Sequence, residues 1–263
     1  MTNHRGDKHI GAGAASAERQ REHYERVHDV YATHYYDEWS MRYRSEFIIG
    51  PLLRGLDLAD QRVADLACGD GHNSLLLRSI FPTVTTVGFD ISPSACAAYE
   101  RNVGTKANCV NLLDPELPKV EFDAAIVIGG LHHLVADLGV ALKNVRAMLK
   151  PGGMLLMFEP NAEFALQWAR DIWYRNDPMF DSQTEAALYH DALLEAAQGR
   201  FCCEKLQYLG GPAFYLVLNS AIFRLPVGIK SHVAQPLFVL ERLYGRLRSR
   251  GWHSSFVARW IAQ

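Results

Sequence analysis

The sequence predicts an α/β domain built on a doubly wound, mostly parallel sheet, and three observations carry that prediction. Short apolar runs alternate with helical stretches from Arg62 to Phe158. The first run passes through a glycine turn straight into a helix. The next ends on an acid about 20 residues after that turn, the spacing of nucleotide-binding sheets. With 263 residues, 49% of them hydrophobic, the chain can fill one such domain and a modest appendage.

The elements follow in order. Residues 1–16 mix His, Arg, Lys, Gly and Ala without an apolar run, so no leader peptide and no packed element is expected there. Beyond Ala17, Tyr24, Val27 and Tyr31 share one helical face, and a second helix is expected over 37–53. Residues 1–54 thus read as a flexible N-terminus and a helical lid. A strand is expected at 62–67, a helix over 73–80 stopped by Pro82, and a β-rich strand over 83–89. Ser92-Pro93 opens a helix, with proline in its first turn, that reaches Val103. Strands at 107–110, 122–128 and 154–158 follow, the last after a helix over 136–149 and the turn Lys150-Pro151-Gly152-Gly153. Strands separated by helices run parallel and are covered on both faces, and right-handed crossovers make the sheet doubly wound. After Pro160 an insertion on the substrate side is expected over about 160–198, with a helix over 184–197. Residues 201–208 and 213–219 then read as an antiparallel edge pair joined across Gly210-Gly211-Pro212. That closes a domain over 55–220 and leaves 221–263 as a C-terminal helical extension.

Charge and cysteines exclude several classes. A net charge of −2 offers nothing to a polyanion, so no nucleic acid is expected as a partner. Cys68, Cys96, Cys109, Cys202 and Cys203 are odd in number and contain no Cys-x-x-Cys pair, which suits a cytoplasmic location. Neighbouring Cys202 and Cys203 point to opposite faces of a strand and read as packing residues, and no metal is expected. No 18-residue apolar stretch occurs, so no membrane-spanning helix is expected.

The run into Cys68-Gly69-Asp70-Gly71-His72-Asn73 is a ligand cradle, because glycine admits close approach and the helix start offers unpaired amides. A dinucleotide cradle needs a third glycine where Ser74 stands, and Asp65 and Asp70 repel a pyrophosphate. These acids favour a cationic ligand such as S-adenosylmethionine over NAD. Asp90, closing the second strand, suits both ribose hydroxyls of an adenosine.

These residues resemble a known family. The stretch Val63-Ala64-Asp65-Leu66-Ala67-Cys68-Gly69-Asp70-Gly71 is similar to the first motif of class I S-adenosylmethionine-dependent methyltransferases of the small-molecule type, and Gly88-Phe89-Asp90-Ile91-Ser92 to the second. Phe122-Asp123, Leu131-His132-His133-Leu134 and Leu149-Lys150-Pro151-Gly152-Gly153 resemble the regions of the fourth and fifth strands. The motifs arrive in the family's order over about residues 60–160. The resemblance implies a Rossmann-like sheet of seven strands, the last antiparallel, and S-adenosylmethionine as cofactor. It implies that Asp65, Gly69 and Gly71 line the methionine portion, that Asp90 holds the ribose and that Ile91 packs on adenine. Asn111 stands where many members carry an acid toward the adenine amine. Ile128 and Gly129 would flank the sulfonium, and Tyr36-Asp37 resembles a pair that closes over the cofactor. Ala67, Asn73 and Leu112 complete the expected cofactor-binding set.

Methyl transfer from a sulfonium is largely a matter of alignment, and a base is needed only when the acceptor loses a proton. His133 leads His132 as that base, with Glu159 next; the competing reading makes Glu159 a buried carboxylate that holds a loop amide. His190 is a remoter candidate. Tyr24, Tyr31, Tyr35, Tyr36, Trp39 and Tyr43, joined by Trp168, Trp173, Tyr174 and Phe180, favour a hydrophobic small-molecule substrate and leave O-, C- and N-methylation open. Two other classes stay in view, a non-catalytic cofactor-binding module and a nicotinamide-dependent oxidoreductase. Residues 221–263 carry seven basic residues against the single acid Glu241, with aromatics interleaved. They read either as helices packed on the domain or in a homo-oligomer, or as a peripheral membrane contact.

Overall fold

The computed structural model describes residues 18, 19, 21, 22, 36–115, 117, 121–135, 137–176, 185–218 and 225–263. The expectations resting on Tyr24, Val27, Tyr31, Tyr35 and Phe180, and on the side chains of Trp173 and Tyr174, lie outside the described residues. Five parallel strands form most of the sheet: β1 (Arg62–Leu66), β2 (Thr85–Asp90), β3 (Ala107–Cys109), β4 (Phe122–Ile128) and β5 (Leu149–Pro160). With β6 (Phe201–Leu209) and β7 (Ser255–Ala262) the order is β3-β2-β1-β4-β5-β7-β6, and β7 runs antiparallel to both neighbours. Strand order reverses between β1 and β4, and there a cleft opens at the carboxyl ends.

Each face carries its own core. On one, α5 (Leu138–Met148) and, beyond α6 (Gln167–Asn176), α7 (His190–Ala196) contribute Leu142, Val145 and Leu193 to a cluster with Phe122, Met157 and Trp260. On the other, α1 (Glu38–Tyr43), a π-helical stretch (Arg44–Ile49) and α2 (Gly50–Leu53) run end to end and pack with α3 (His72–Ile80) and α8 (Val227–Tyr244). Tyr43, Ile48, Leu52, Leu77 and Phe238 meet there with no more than 1% exposure each, so the lid helix is part of the core. α4 (Pro93–Val103) covers β2, capped by the Ser92 hydroxyl, which accepts from the Ala95 amide at 3.1 Å.

The seven-stranded sheet stands as expected, but its seventh strand is built from other residues. Phe214–Leu218 is π-helical, and the strand between β5 and β6 is Ser255–Ala262, drawn from the basic tail. Its sequence alternates: Phe256, Ala258, Trp260 and Ala262 join one core and Val257 the other. Arg259 breaks the apolar pattern yet is buried, donating to the carbonyls of Leu52 (2.7 Å) and Arg54 (3.0 Å). Residue 220 is therefore no domain boundary: the described part of the tail is the helix α8 and a 3-10 turn (Arg250–Trp252), followed by a strand inside the sheet. The helix expected over 184–197 begins only at His190.

α8 reaches the lid through a buried cation. Lys230, 1% exposed, pairs with Asp37 and donates to the Ser40 hydroxyl at 2.9 Å. Asp37 in turn caps α1, accepting from the amides of Trp39 (3.1 Å) and Ser40 (3.2 Å). Glu241, about three turns further along the same face of α8, accepts the Tyr43 hydroxyl at 2.7 Å and the amides of Gly211 and Ala213. No described helix is long and apolar enough to cross a membrane.

Candidate active site

The cleft is lined by Tyr36, Arg44, Ala67 to Asp70, His72, Asn73, Phe89 to Ser92, Val110 to Leu112, Ile128 to Gly130, His133 and Leu134. β1 delivers the glycine turn into it. Ala67 and Gly69 adopt left-handed φ values of 50° each, which expose the backbone of the turn. A Cβ on Gly69 would come within 3.6 Å of the Tyr36 hydroxyl, so the turn and the lid residue lie against each other. Tyr36 stacks on His72 with ring centroids 3.7 Å apart.

Asp90, at the end of β2, is the buried acid of the cleft. One carboxylate oxygen accepts the Gly69 amide at 2.9 Å and the other the Ser92 amide at 2.9 Å, so both oxygens are fixed and each keeps a free acceptor direction. Burial pushes its pKa up, and the amides of Ser92, Gly69 and Ile91 pull it back. Asn111 also lines the cleft, but its side-chain oxygen already accepts the Leu113 amide at 3.0 Å. Its amide group is what remains for a ligand.

Arg44 is the one buried cation of the cleft among the described residues, and its type and position gave no signal in the sequence. It enters from the lid, 7% exposed, donates to the Asn73 side chain at 3.0 Å and leaves Nε without a partner. A buried, under-satisfied guanidinium facing a cleft suits a carboxylate.

Five expected site residues, Asp65, Gly71, His132, Glu159 and His190, stand behind the cleft instead of lining it. Asp65 is wholly buried beneath the turn and accepts the Ser74 hydroxyl at 2.7 Å; burial pushes it up to about 7. Gly71 has φ +85°, and a Cβ there would fall 2.2 Å from Val103, so this glycine serves the packing of α4. Glu159, buried on β5, accepts the amides of Gly130 (3.1 Å), Leu131 (2.8 Å) and His132 (3.3 Å) and contacts His132 Nδ1 at 2.8 Å. It thus pins the loop after β4, as the competing reading of this residue had it. Burial pushes the Glu159 pKa up, against the pull of the three amides, and pushes that of His132 down. His190 is buried in the core, accepting the Trp260 indole N–H at 3.1 Å.

His133 does line the cleft, and its Nδ1 lies 3.6 Å from a Glu185 carboxylate oxygen. Glu185 lies far from His133 in sequence and was not singled out from it. One ring nitrogen each of His132 and His133 and a Glu185 oxygen all lie within 4.8 Å of one another, the donor types of a divalent-metal site.

Comparison with known proteins places this geometry. Residues 64–155 match the model of a methyltransferase domain family. Demethylmenaquinone methyltransferase of Thermus thermophilus is 31% identical over 120 residues, 42% of this chain and 54% of that protein. Glycine N-methyltransferase of Rattus norvegicus is 30% identical over 147 residues, covering 47% and 50%. The chain therefore spans about half the length of the curated relatives it matches. The crystal structure of the [4+2]-cyclase SpnF superposes with a TM-score of 0.62 at 15% identity, over 94% of this chain and 96% of that one, a likeness of fold alone.

Proposed function

We propose that the chain is a class I S-adenosylmethionine-dependent methyltransferase and that it methylates a hydrophobic small molecule. The observation that carries the proposal is the pairing, in one cleft, of a carboxylate fixed by backbone amides with the Arg44 guanidinium. S-adenosylmethionine presents the complement of both, ribose hydroxyls for Asp90 and an amino-acid carboxylate for Arg44. It supplies an already activated methyl group on a sulfonium.

The chain's own residues then have distinct tasks. Asp90 accepts from the ribose, and Gly69, with its neighbours in the turn, lets the ligand approach the backbone. Ile91, Val110 and Leu112 offer an apolar slot for adenine, and Asn111 its amide group. Tyr36 and His72 cover the turn and exclude water. Ile128, Gly129 and Gly130 leave the carboxyl end of β4 narrow and uncharged, and Glu159 holds that loop still. His133 is the residue placed to take a proton from an acceptor hydroxyl or amine, with Glu185 behind its Nδ1 to orient the ring. Tyr36, Phe89 and Leu134 make the wall of the cleft suit an apolar acceptor better than a sugar.

Calorimetric titration with S-adenosylmethionine, S-adenosylhomocysteine and NAD tests the cofactor assignment. Binding of the first two and not of NAD is expected; the opposite pattern overturns it. Methyl-labelled S-adenosylmethionine incubated with extracts of apolar metabolites tests the acceptor class. Label should enter the organic phase as S-adenosylhomocysteine forms, and label only in water-soluble product refutes the class.

A further inference from the structure

The solvent side of α8 is the least expected surface of the molecule. At 100° per residue, Ile229, Pro236, Val239, Leu240 and Leu243 fall within an arc of about 100°, and all five are exposed. The opposite arc, Lys230, Ala234, Phe238 and Glu241, is the one buried against the domain. A helix in water normally turns a polar face outward, whereas the outward arc of α8 is apolar except for His232. The stripe continues beyond the helix through Leu247 (45% exposed) and Trp252 (57%). The Ala165 amide donates to the Gly251 carbonyl at 2.8 Å, which sets a second patch, Leu166 and Trp168 (62% exposed), next to that turn.

We infer that this surface docks on an anionic phospholipid bilayer. Charge selects that occupant. Glu241 is the single acid between residues 225 and 263, and it is buried. Arg242 is answered by Glu46, and Arg250 by Glu163 and Asp191. Arg246 and Arg248 are exposed and make no ion pair with the described residues. A second copy of the same α8 face would bring arginines to arginines, since α8 itself offers no exposed acid. Lipid phosphates supply the missing charge, hydrocarbon takes Leu240 and Leu243, and the Trp168 and Trp252 rings suit the headgroup boundary. Since no described helix can cross a bilayer, α8 lies along its surface. The docking turn immediately precedes β7, whose Ser255 pairs with Pro160 at the carboxyl end of β5, the end of the sheet where the cleft opens. Docking thus brings the cleft's end of the sheet toward a reservoir of apolar acceptors.

The test uses the full chain and vesicle flotation, a readout independent of methyl transfer. The vesicles are phosphatidylcholine alone or equimolar phosphatidylcholine and phosphatidylglycerol, at low and high salt. The wild type should float with the anionic vesicles. L240E/L243E should weaken that binding at least tenfold, and R246A/R248A should abolish the preference for anionic over neutral lipid. All four side chains are exposed, so thermal melts should match the wild type. Absence of flotation, or flotation unchanged in L240E/L243E, overturns the inference. So does a wild-type dimer in sedimentation velocity that dissolves in L240E/L243E, which would assign the stripe to a second copy.

Discussion

Replacing Asp90 tests the site at its most constrained point. Each carboxylate oxygen holds one backbone amide at 2.9 Å and keeps one acceptor direction for a ribose hydroxyl. In Asp90→Asn, one oxygen becomes an NH₂ group. Whichever way the amide turns, it faces the Gly69 or the Ser92 N–H, donor against donor, and one ribose acceptor is lost. A hydrogen bond to a charged group contributes about 1.5–3 kcal/mol, so losing one weakens binding by about 10- to 150-fold. Asp90→Ala removes both acceptors, and water refilling the space returns part of the loss, so about tenfold is the floor and a hundredfold or more is expected. Titration calorimetry with S-adenosylhomocysteine measures both variants, with thermal melts to show that each is folded. A folded Asp90→Ala protein whose dissociation constant stays within about threefold of the wild type would mean that the sugar sits elsewhere.

Three further predictions follow from neighbouring residues. His133→Asn should lower kcat by about 10²–10⁴-fold with little change in S-adenosylhomocysteine affinity, and an unchanged kcat removes His133 as the base. Glu159→Ala strands the amides of Gly130, Leu131 and His132; a loss of about 2–5 kcal/mol in urea unfolding is expected, and under about 0.5 kcal/mol would show that the loop holds itself. Asp65 contributes one component of the pH dependence: burial raises its pKa from 3.8 to about 7 in the fold, so the native state binds the extra proton. Its stabilising contribution is complete below pH 4 and drains away as pH rises to about 7, on the order of 4 kcal/mol in all. Asp65→Asn should flatten that slope in chemical denaturation between pH 4 and 8, and parallel wild-type and variant curves would contradict the assignment.

What could be read from the sequence was what local chemistry encodes. The strand–turn–helix around Gly69, the acid ending β2 and the histidines after β4 each sit within a few residues of the element that positions them. β7 was hidden because Arg259 looks like a surface residue, and its burial is explained by distant partners: the carbonyls of Leu52 and Arg54, some two hundred residues earlier, and the Glu204 carboxylate on β6. Arg44 and Glu185 were hidden for the same reason: each reaches the cleft from a distant segment. Behind the cleft, Asp65 and Gly71 had been read as lining residues. A motif fixes which residues surround a turn, whereas the Val103 and Tyr99 side chains of α4 decide which of them face inward. Removing residues 221–263 would likewise extract a central strand, so point substitutions on α8 are the sound probe of its outer face.

The Lys230–Asp37 pair gives the two ends of the chain a common fate. Asp37 anchors the first turn of α1, and its neighbour Tyr36 roofs the glycine turn. The helix that carries the outer apolar stripe therefore grips, from its inner side, the residue next to the roof. A fusion, cross-link or tether that tugs on that helix should register, well inside the molecule, as an altered hold on the nucleoside.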